Sequence, residues 1–350
     1  EVHFRYAGTV HIHDTLFQDS TTVFALMHHS EGASVHSGVV VHPPMLTIED
    51  SEVIGGQMLL NSPEISRVSI VGVTFEGTVL DLRAPPRAST TGAARLATDN
   101  DLSMFAMVSC ELSATRGTLA LTGTNMELSD TVVSNHTGSL LVCAPSYRGG
   151  GGEVGLHGMA FVHNRGINRT HREYLIDLSG CTTRGGTSSA TMPVVRMTGL
   201  TFLNNTLGVL NADAAEVVVE SSSFHGNGLV STASASVPTP AGSADQAGGR
   251  DGILIAASDP GLFVFSGAFT LRTSRITAHE GADIAVCNPL GGCRVLLEEV
   301  AMSDASHSSL VHMCTGHSVV LRRSTFRGVK EGGVLRCAIA VKRNEGKDGE

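Results

Sequence analysis

The most regular feature of the chain is a short pattern of apolar and polar positions that recurs along nearly its whole length. One copy lies at Glu216–Gly228, with the sequence EVVVESSSFHGNG. Val217 and Val219 alternate with other positions, which predicts a short strand, and Phe224 supplies a second apolar anchor. The Gly-Asn-Gly end predicts a turn. The unit is therefore a strand, a bend, an anchor and a turn.

Eleven copies of this unit follow one template: apolar, any, apolar, four of any, apolar. Their apolar positions are Val10, Ile12, Phe17; Leu46, Ile48, Val53; Val68, Ile70, Phe75; Phe105, Met107, Leu112; Met126, Leu128, Val133; Val154, Leu156, Phe161; Val195, Met197, Phe202; Val217, Val219, Phe224; Phe269, Leu271, Ile276; Val295, Leu297, Met302; and Val319, Leu321, Phe326. A third apolar strand trails the unit, for example at Met58–Leu60, Val79–Leu82, Leu119–Leu121, Leu140–Val142, Ile253–Ile255, Ile284–Val286 and Val334–Leu335. Units that cannot bury their apolar side chains alone must stack on their neighbours.

The spacing between copies selects the architecture. The shortest repeats, such as Ile48 to Ile70, span 21 or 22 residues. That length holds three short strands and three corners, whereas a propeller blade needs about 40 residues. The sequence therefore predicts an all-β solenoid of about eleven three-strand coils, and stacked strands at ~4.8 Å make a rod roughly 50 Å long.

The repeated units resemble the right-handed parallel β-helix superfamily, the pectin-lyase-like proteins. The stretches that carry the resemblance are VVVESSSFHGN, VVLRRSTFRGV, VVRMTGLTFLNN and VSIVGVTFEGT. The resemblance implies the fold and the right hand of the helix. It implies no particular activity, because these units describe coil geometry and carry no chemistry.

We expect one β-helix domain over residues 1–341, as a segment of a longer protein, followed by a charged tail at 342–350. Insertions at 83–100, 144–152 and 180–192 fall at one corner, between the third strand and the next coil, so they line up along one edge of the rod. In repeat proteins such an edge is often the binding surface, although long loops are also simply tolerated there. A further insertion, at 229–250, leaves from a different corner.

Composition removes several classes of function. The net charge is −9, and no basic cluster appears outside Lys330 and the tail, so nucleic acid is not an expected partner. The sequence contains no uninterrupted apolar run of about 18 residues, so no membrane span is predicted in this segment. The chain has no Trp, which counts against a carbohydrate site built on aromatic stacking. We expect no cofactor.

Seven cysteines are present. Cys287, Cys314 and Cys337 follow the third strands of successive coils and are expected to stack as a ladder, with Cys143 at the same place farther up the rod. Disulfides between ladder neighbours, or between Cys287 and Cys293, are conceivable. Small buried side chains filling a corner are the alternative.

Three sequons, at Asn135, Asn168 and Asn204, are candidate glycosylation sites of a secreted or surface protein. Turn chemistry offers another explanation. Asn164, Asn205 and Asn227 recur eight residues after the central anchor of their coils, which predicts an asparagine ladder at a tight corner with left-handed backbone. Asn135 and Asn204 lie one position before that corner.

Two clusters could carry chemistry. His11, His13 and Asp14, with Glu49 on the next coil, form a candidate metal site or a pH-sensitive patch, although a solvated polar face explains them as well.

Near the other end, Arg272, Glu298 and Arg322, followed by Thr273, Glu299 and Arg323, predict a ladder of salt bridges. Glu298 or Glu299 as acid or base, with Arg322 binding an acidic sugar, is the catalytic interpretation.

Two functions remain open. Many β-helix proteins similar to this one are polysaccharide lyases or glycoside hydrolases, but the galacturonase-like motifs are represented only by Arg275-Ile276-Thr277 and Gly316-His317-Ser318, incomplete and in the wrong order. The favoured hypothesis is a non-catalytic scaffold at the cell surface, resembling autotransporter passengers and repetitive protozoan surface proteins. It would bind carbohydrate or protein ligands through its edge loops. The alternative is an enzyme acting on an acidic polysaccharide.

Overall fold

The chain folds into a parallel β-helix in a computed structural model. The structure describes residues 2–5, 9–25, 45–60, 67–83, 104–122, 125–143, 152–167, 173–181, 193–227, 263–278, 285–287, 294–304, 311–313, 318–328 and 335–337. Every pairing between the strands of these residues is parallel, and no α-helix occurs among them. The predicted fold class is confirmed.

Three strands per coil stack into three columns. Column 1 contains β2 (Thr9–His13), β5 (Met45–Glu49), β8 (Arg67–Val71), β11 (Met104–Val108), β14 (Asn125–Ser129), β17 (Glu153–His157), β20 (Val194–Thr198), the second parts of β22 (Gly208–Glu220) and β24 (Phe263–Arg272), β27 (Arg294–Glu298) and β30 (Ser318–Arg322). Column 2 contains β3 (Leu16–Gln18), β6 (Glu52–Ile54), β9 (Thr74–Glu76), β12 (Glu111–Ser113), β15 (Val132–Ser134), β18 (Ala160–Val162), β21 (Thr201–Leu203), β23 (Ser223–His225), β25 (Arg275–Thr277), β28 (Ala301–Ser303) and β31 (Thr325–Arg327).

Column 3 contains β1 (Val2–Arg5), β4 (Thr21–Ala25), β7 (Gln57–Leu60), β10 (Val79–Arg83), β13 (Arg116–Leu121), β16 (Leu141–Cys143), β19 (Tyr174–Leu178), the first parts of β22 and β24, β26 (Ala285–Cys287), β29 (Val311–Met313) and β32 (Leu335–Cys337). A 3₁₀ turn, Ser179–Cys181, follows β19. Because β22 and β24 run through a corner, columns 1 and 3 join in one 21-stranded sheet, and column 2 is a separate 11-stranded sheet.

The repeat template predicts the register of the column 2 strands. Its eleven second anchors form ten pairs between successive coils, from Phe17 opposite Val53 to Met302 opposite Phe326. These side chains share one inward column because successive side chains of a strand alternate between its faces. Most of them are fully buried in one continuous core.

Two residues per coil turn the chain at the ends of the column 2 strand, both in the left-handed region. The first corner holds Asp14, Asp50, Gly72, Ser109, Asp130, Gly158, Gly199, Ser221, Thr273, Glu299 and Arg323; the second holds Asp19, Gly55, Gly77, Ala114, Asn135, His163, Asn204, Gly226, Ala278, Asp304 and Gly328. Gly, Asn and Asp are frequent here because they tolerate this conformation. The sequence predicted that the ladder asparagines have left-handed backbone, and this is wrong. Each ladder asparagine comes one residue after the left-handed position.

Column 3 differs most from the sequence-based prediction. The third strands named as examples from the sequence do not include the strand at Tyr174–Leu178, the start of β22 or the strand at Val311–Met313. In the coil of Phe224, the place predicted for Ile253–Ile255 is taken by the first residues of β24, where Phe263 pairs with Leu210. Residues 253–255 lie outside the described ranges.

In chain order, the predicted insertions lie between the strands expected on either side of them, and they stay a prediction because their residues are largely outside the described ranges. Segments 84–103, 144–151 and 182–192, which are outside the described residues, each lie between a column 3 strand and the next column 1 strand. Segment 26–44 lies at the same corner and was not predicted as an insertion. Arg83 and Cys143 are the last residues of their strands, and Cys181 ends the 3₁₀ turn, so the insertions begin slightly later than predicted. The segment containing 229–250 follows column 2, as expected.

Candidate functional site

We call the corner between column 3 and column 1 the loop edge; in chain order, segments 26–44, 84–103, 144–151 and 182–192 lie there between the flanking strands. Strand register continues across these segments. Met107 pairs with Ile70 on one side of segment 84–103, and Leu82 pairs with Leu119 on the other. The register of the paired strands is therefore the same on both sides of a segment, whatever the length of that segment.

A disulfide joins Cys143 to Cys181, with their Cα atoms 5.4 Å apart. Cys143 is the last residue before segment 144–151, and Cys181 is the last before segment 182–192. Cys181 is buried, and Cys143 packs against the core. Two successive segments of the loop edge thus start from one covalent link.

The sequence did not predict this link, because it assigned Cys181 to an insertion. The signal was present in YLIDL, at Tyr174–Leu178. Its recognition as a third strand would have placed Cys181 beside the end of the previous coil.

The predicted cysteine ladder is partly wrong. Cys143 and Cys287 do share a register column, with Leu178, Ala212 and Phe265 between them. Farther along this column, Met313 lies between Cys287 and Cys337, at the place predicted for Cys314. Cys314 and Cys293 are outside the described residues.

Cys110, unlike the linked pair, is free and buried in the core. Burial raises the pKa of its thiol to about 11 against the lowering effect of nearby backbone groups. Since the thiolate is the reactive form, this side chain is suited to packing and not to nucleophilic chemistry.

Buried amides form the predicted asparagine ladder. Asn164 Nδ2 donates to Asn205 Oδ1 at 2.9 Å, and Asn205 Nδ2 donates to Asn227 Oδ1 at 2.9 Å. Each also donates to a backbone carbonyl of the preceding coil, that of Val133 for Asn164 and that of Phe161 for Asn205. The ladder therefore satisfies polar groups inside the corner and is structural.

Histidine occupies the same corner in the preceding coil. His136 is fully buried; its backbone N–H donates to Asn164 Oδ1 at 2.8 Å, and its Nδ1 lies 2.9 Å from Thr115 Oγ1. Its Nε2 has no hydrogen-bond partner. Desolvation lowers the pKa of the imidazole from 6.5 to about 4, against a smaller raising effect of the Ser139 backbone. Sequence reasoning missed this residue, although it lies three positions after its anchor as the ladder asparagines do.

The predicted salt-bridge ladder is confirmed for the pairs Arg272–Glu298 and Glu299–Arg323, and further pairs extend it. Glu298 lies between Arg272 (3.3 Å) and Arg323 (2.8 Å), and Arg323 also reaches Glu299 at 3.0 Å. Arg272 continues the ladder to Glu220 at 3.2 Å. Arg322 pairs in register with Glu298 through the backbone. The catalytic candidates Glu298, Glu299 and Arg322 therefore lie at one end of the rod, in or beside a chain of ion pairs.

The histidine cluster also assembles. His11 Nε2 lies 3.0 Å from Glu49 Oε2, and His13 lies 2.8 Å from Asp14 and 3.4 Å from Asp50. The contacts form two groups, His11 with Glu49 and His13 with Asp14 and Asp50. Within the described ranges, no three His, Cys, Asp or Glu side chains are grouped so that they could hold a metal ion. The arrangement supports contacts between the first two coils.

The sequons Asn135 and Asn204 are exposed and occupy the second left-handed corner. Each precedes a buried residue of the ladder column, His136 or Asn205. Asn168 is outside the described residues. Glycosylation of these positions stays a prediction.

In the part of the chain that the structure describes, no helix has the length and apolarity to cross a membrane.

Comparisons with known proteins add little. No protein-family model and no curated protein matches the chain. Among solved structures, the Streptococcus pneumoniae surface protein and adhesin PfbA is similar over 94% of this chain and 91% of its own, with 9% identity and a TM-score of 0.26. Similarity at this level carries no argument for a shared function.

Proposed function

We propose that the chain is a non-catalytic β-helix scaffold at a cell surface, and that it binds protein or carbohydrate ligands through the loop edge. The observation that carries the proposal is that four inserted segments share one corner of the stack, whereas segment 228–262 lies at another. In repeat proteins, insertions on one face often form the binding face.

The disulfide supports both parts of the proposal. Cys143 and Cys181 fix the starting points of two neighbouring segments, which reduces the conformational entropy that a loop loses when it binds a ligand. Disulfides also persist mainly in oxidising environments, such as the outside of the cell.

The charged face supports a scaffold in preference to an acid-base catalyst. Glu298 is engaged by Arg272 and by Arg323, and the repeated pairs bridge successive coils. Farther up the same face, the outward column reads Val71, Val108, Ser129 and His157 in consecutive coils. The salt bridges therefore join neighbouring coils, and the outward column farther up the face is nearly uncharged.

Replacement of segments 84–103 and 182–192 by short Gly-Ser linkers tests the proposal. Binding of the full chain and the variant is measured on a printed array of neutral, acidic and sulfated glycans and on immobilised matrix glycoproteins. We expect the full chain to bind and the variant to lose at least 10-fold in affinity, about 1.4 kcal/mol, with unchanged circular dichroism.

The matched control shortens segment 231–248, which leaves from the other corner, and keeps its binding. Equal binding by the loop-edge variant would overturn the proposal. So would turnover of an acidic polysaccharide that disappears in Glu298→Gln, since that result would establish the enzyme.

A further inference from the structure

The coil of β14, β15 and β16, residues 125–143, contains a buried polar position that differs from its neighbours in the stack. Successive coils place Thr78, Thr115, His136, Asn164, Asn205 and Asn227 at this position, each three residues after the second anchor. Thr78 and the asparagines bond to the carbonyl of the preceding anchor, as Thr78 Oγ1 does to Val53 at 2.9 Å. His136 instead leaves Nε2 without a partner in a fully buried corner.

The surroundings of His136 are suited to a neutral imidazole. The Nδ1–H tautomer can donate to the hydroxyl of Thr115, on the coil before, which leaves Nε2 unprotonated, and Asn164, on the coil after, accepts the backbone N–H. Among the described residues, the charged groups at this corner are Arg116 and Arg165, whose backbones flank Thr137, and Glu173, whose carboxylate accepts the N–H of Ile167 at 2.6 Å. An imidazolium needs acceptors at both nitrogens, and Nε2 has no hydrogen-bond partner; the Ser139 backbone favours the protonated ring, but less than burial disfavours it.

We propose that coil 125–143 is an acid-sensitive joint of the rod, held closed while His136 is neutral and loosened when this side chain takes up a proton. A protonated ring would place an unpaired N–H and a charge inside the corner, which is costly without a partner. Opening the corner lets water reach Nε2. Because β16 ends in Cys143, the same motion loosens the base of the loop edge.

The direction of the pH effect follows from linkage. In the folded coil burial keeps the pKa of His136 near 4, below its unfolded value of 6.5. The unfolded or opened coil binds more protons below pH 6.5, so stability is fully present above pH 6.5 and falls as the pH approaches 4. Between pH 7 and pH 4.5 the opening constant should rise on the order of 100-fold through this residue.

The test is amide hydrogen exchange of the full chain at pH 7 and pH 4.5, corrected for the intrinsic exchange rate, on peptides covering residues 104–143. The key variant is His136→Asn, which gives this position the amide of the next three coils. We expect the opening constant of the wild type to rise on the order of 100-fold more than that of the variant. The control is His163→Asn, at an exposed left-handed corner of the next coil, which should behave like the wild type.

Equal pH dependence in the wild type and His136→Asn would overturn the proposal. A second measurement needs no variant: exchange of the imidazole C2 hydrogen in the wild type reports the titration of His136 itself. A midpoint below about pH 5 supports the joint, and a midpoint near the ordinary value of about 6.5 overturns it. Both measurements are independent of ligand binding, so their outcome does not depend on the proposed function.

Discussion

Single polar residues hold the corners of this solenoid together. Each coil turns twice through one left-handed residue, and in most of the described coils the next residue is buried. Where that residue is polar, its side chain supplies hydrogen bonds, because buried backbone groups at a corner are costly when unpaired. Serine and threonine do this at the first corner, where Ser222 Oγ donates to Glu220 O and accepts the N–H of Leu200. Asparagine does it at the second.

Asn205 is the central member of the amide ladder and the strongest test of it. Asn205→Ala removes bonds to Asn164, Asn227 and Phe161 and leaves buried partners unpaired. We expect a loss of about 3 kcal/mol in the free energy of unfolding, measured by urea denaturation. The control is Asn204→Gly. Asn204 is exposed and has left-handed backbone, which glycine adopts freely, so this change should alter the free energy of unfolding by less than about 0.5 kcal/mol. Similar losses in both variants would show that the ladder contributes nothing special.

Ala114 lies at a left-handed corner with φ of 51° and an exposed side chain. Its Cβ makes this backbone unfavourable, whereas glycine adopts it freely. Ala114→Gly should therefore raise the unfolding free energy by about 0.5–1 kcal/mol, seen as a higher urea midpoint at constant slope. Ala160→Gly, inside strand β18, is the control and should lower it, because glycine weakens a strand. A loss of stability in Ala114→Gly would contradict the assignment of the corner.

At the scale of elements, columns 1 and 3 are joined by a corner of variable length. In β22 and β24 the chain passes it within one strand, while at other coils it admits whole segments. Since strand pairing is complete on both sides, an inserted segment costs the coil mainly loop-closure entropy, which grows slowly with length. The disulfide between Cys143 and Cys181 acts at this corner by joining two coils covalently.

Removal of that disulfide should be measurable in the whole fold. Cys143→Ala with Cys181→Ala, 38 residues apart in sequence, is expected to lower the unfolding free energy by about 2–4 kcal/mol. Thermal unfolding with and without reductant checks this, and peptide mapping without reduction should recover the Cys143–Cys181 crosslink. Cys110→Ala is the control, because that cysteine is free and should leave the crosslink and the effect of reductant unchanged. Absence of the crosslinked peptide would contradict the pairing.

At the scale of the molecule, the rod is held by contacts between neighbouring coils. Phe161, Phe202 and Phe224 stack along its axis with ring centroids 4.6 and 5.1 Å apart, and all three are buried. In a solenoid, stability is close to a sum of such nearest-neighbour terms, so the position of a coil matters as much as its sequence. At the last described column 2 strand, Phe326 is only partly buried.

The same substitution should therefore have different effects along the rod. Phe202→Ala removes contacts on both sides and is expected to cost about 4 kcal/mol, whereas Phe326→Ala should cost about 1 kcal/mol because its ring is already partly exposed. Urea denaturation followed by far-ultraviolet circular dichroism measures both. Equal losses in the two variants would contradict the view that stability depends on contacts with the neighbouring coils on both sides.

The period of the apolar pattern determined the fold from sequence alone. Alternation within strands and the anchor at a fixed distance set which side chains point inward, so even the register of column 2 followed from it. The same regularity explains the asparagine ladder. These features repeat, and repetition lets a local pattern predict contacts between residues distant in sequence.

Only the tertiary structure decided what does not repeat. Column 3 strands start at variable distances from their anchors. The pairing of Cys143 with Cys181, and the place of Met313 beside Cys337, could therefore be seen only once the strands were in register. Likewise, Glu298 pairs with Arg323 because side chains reach diagonally across coils. The unpartnered Nε2 of His136 required the burial of a complete corner. Local periodicity fixes which face a residue occupies, whereas its partners depend on how the variable segments place the next coil.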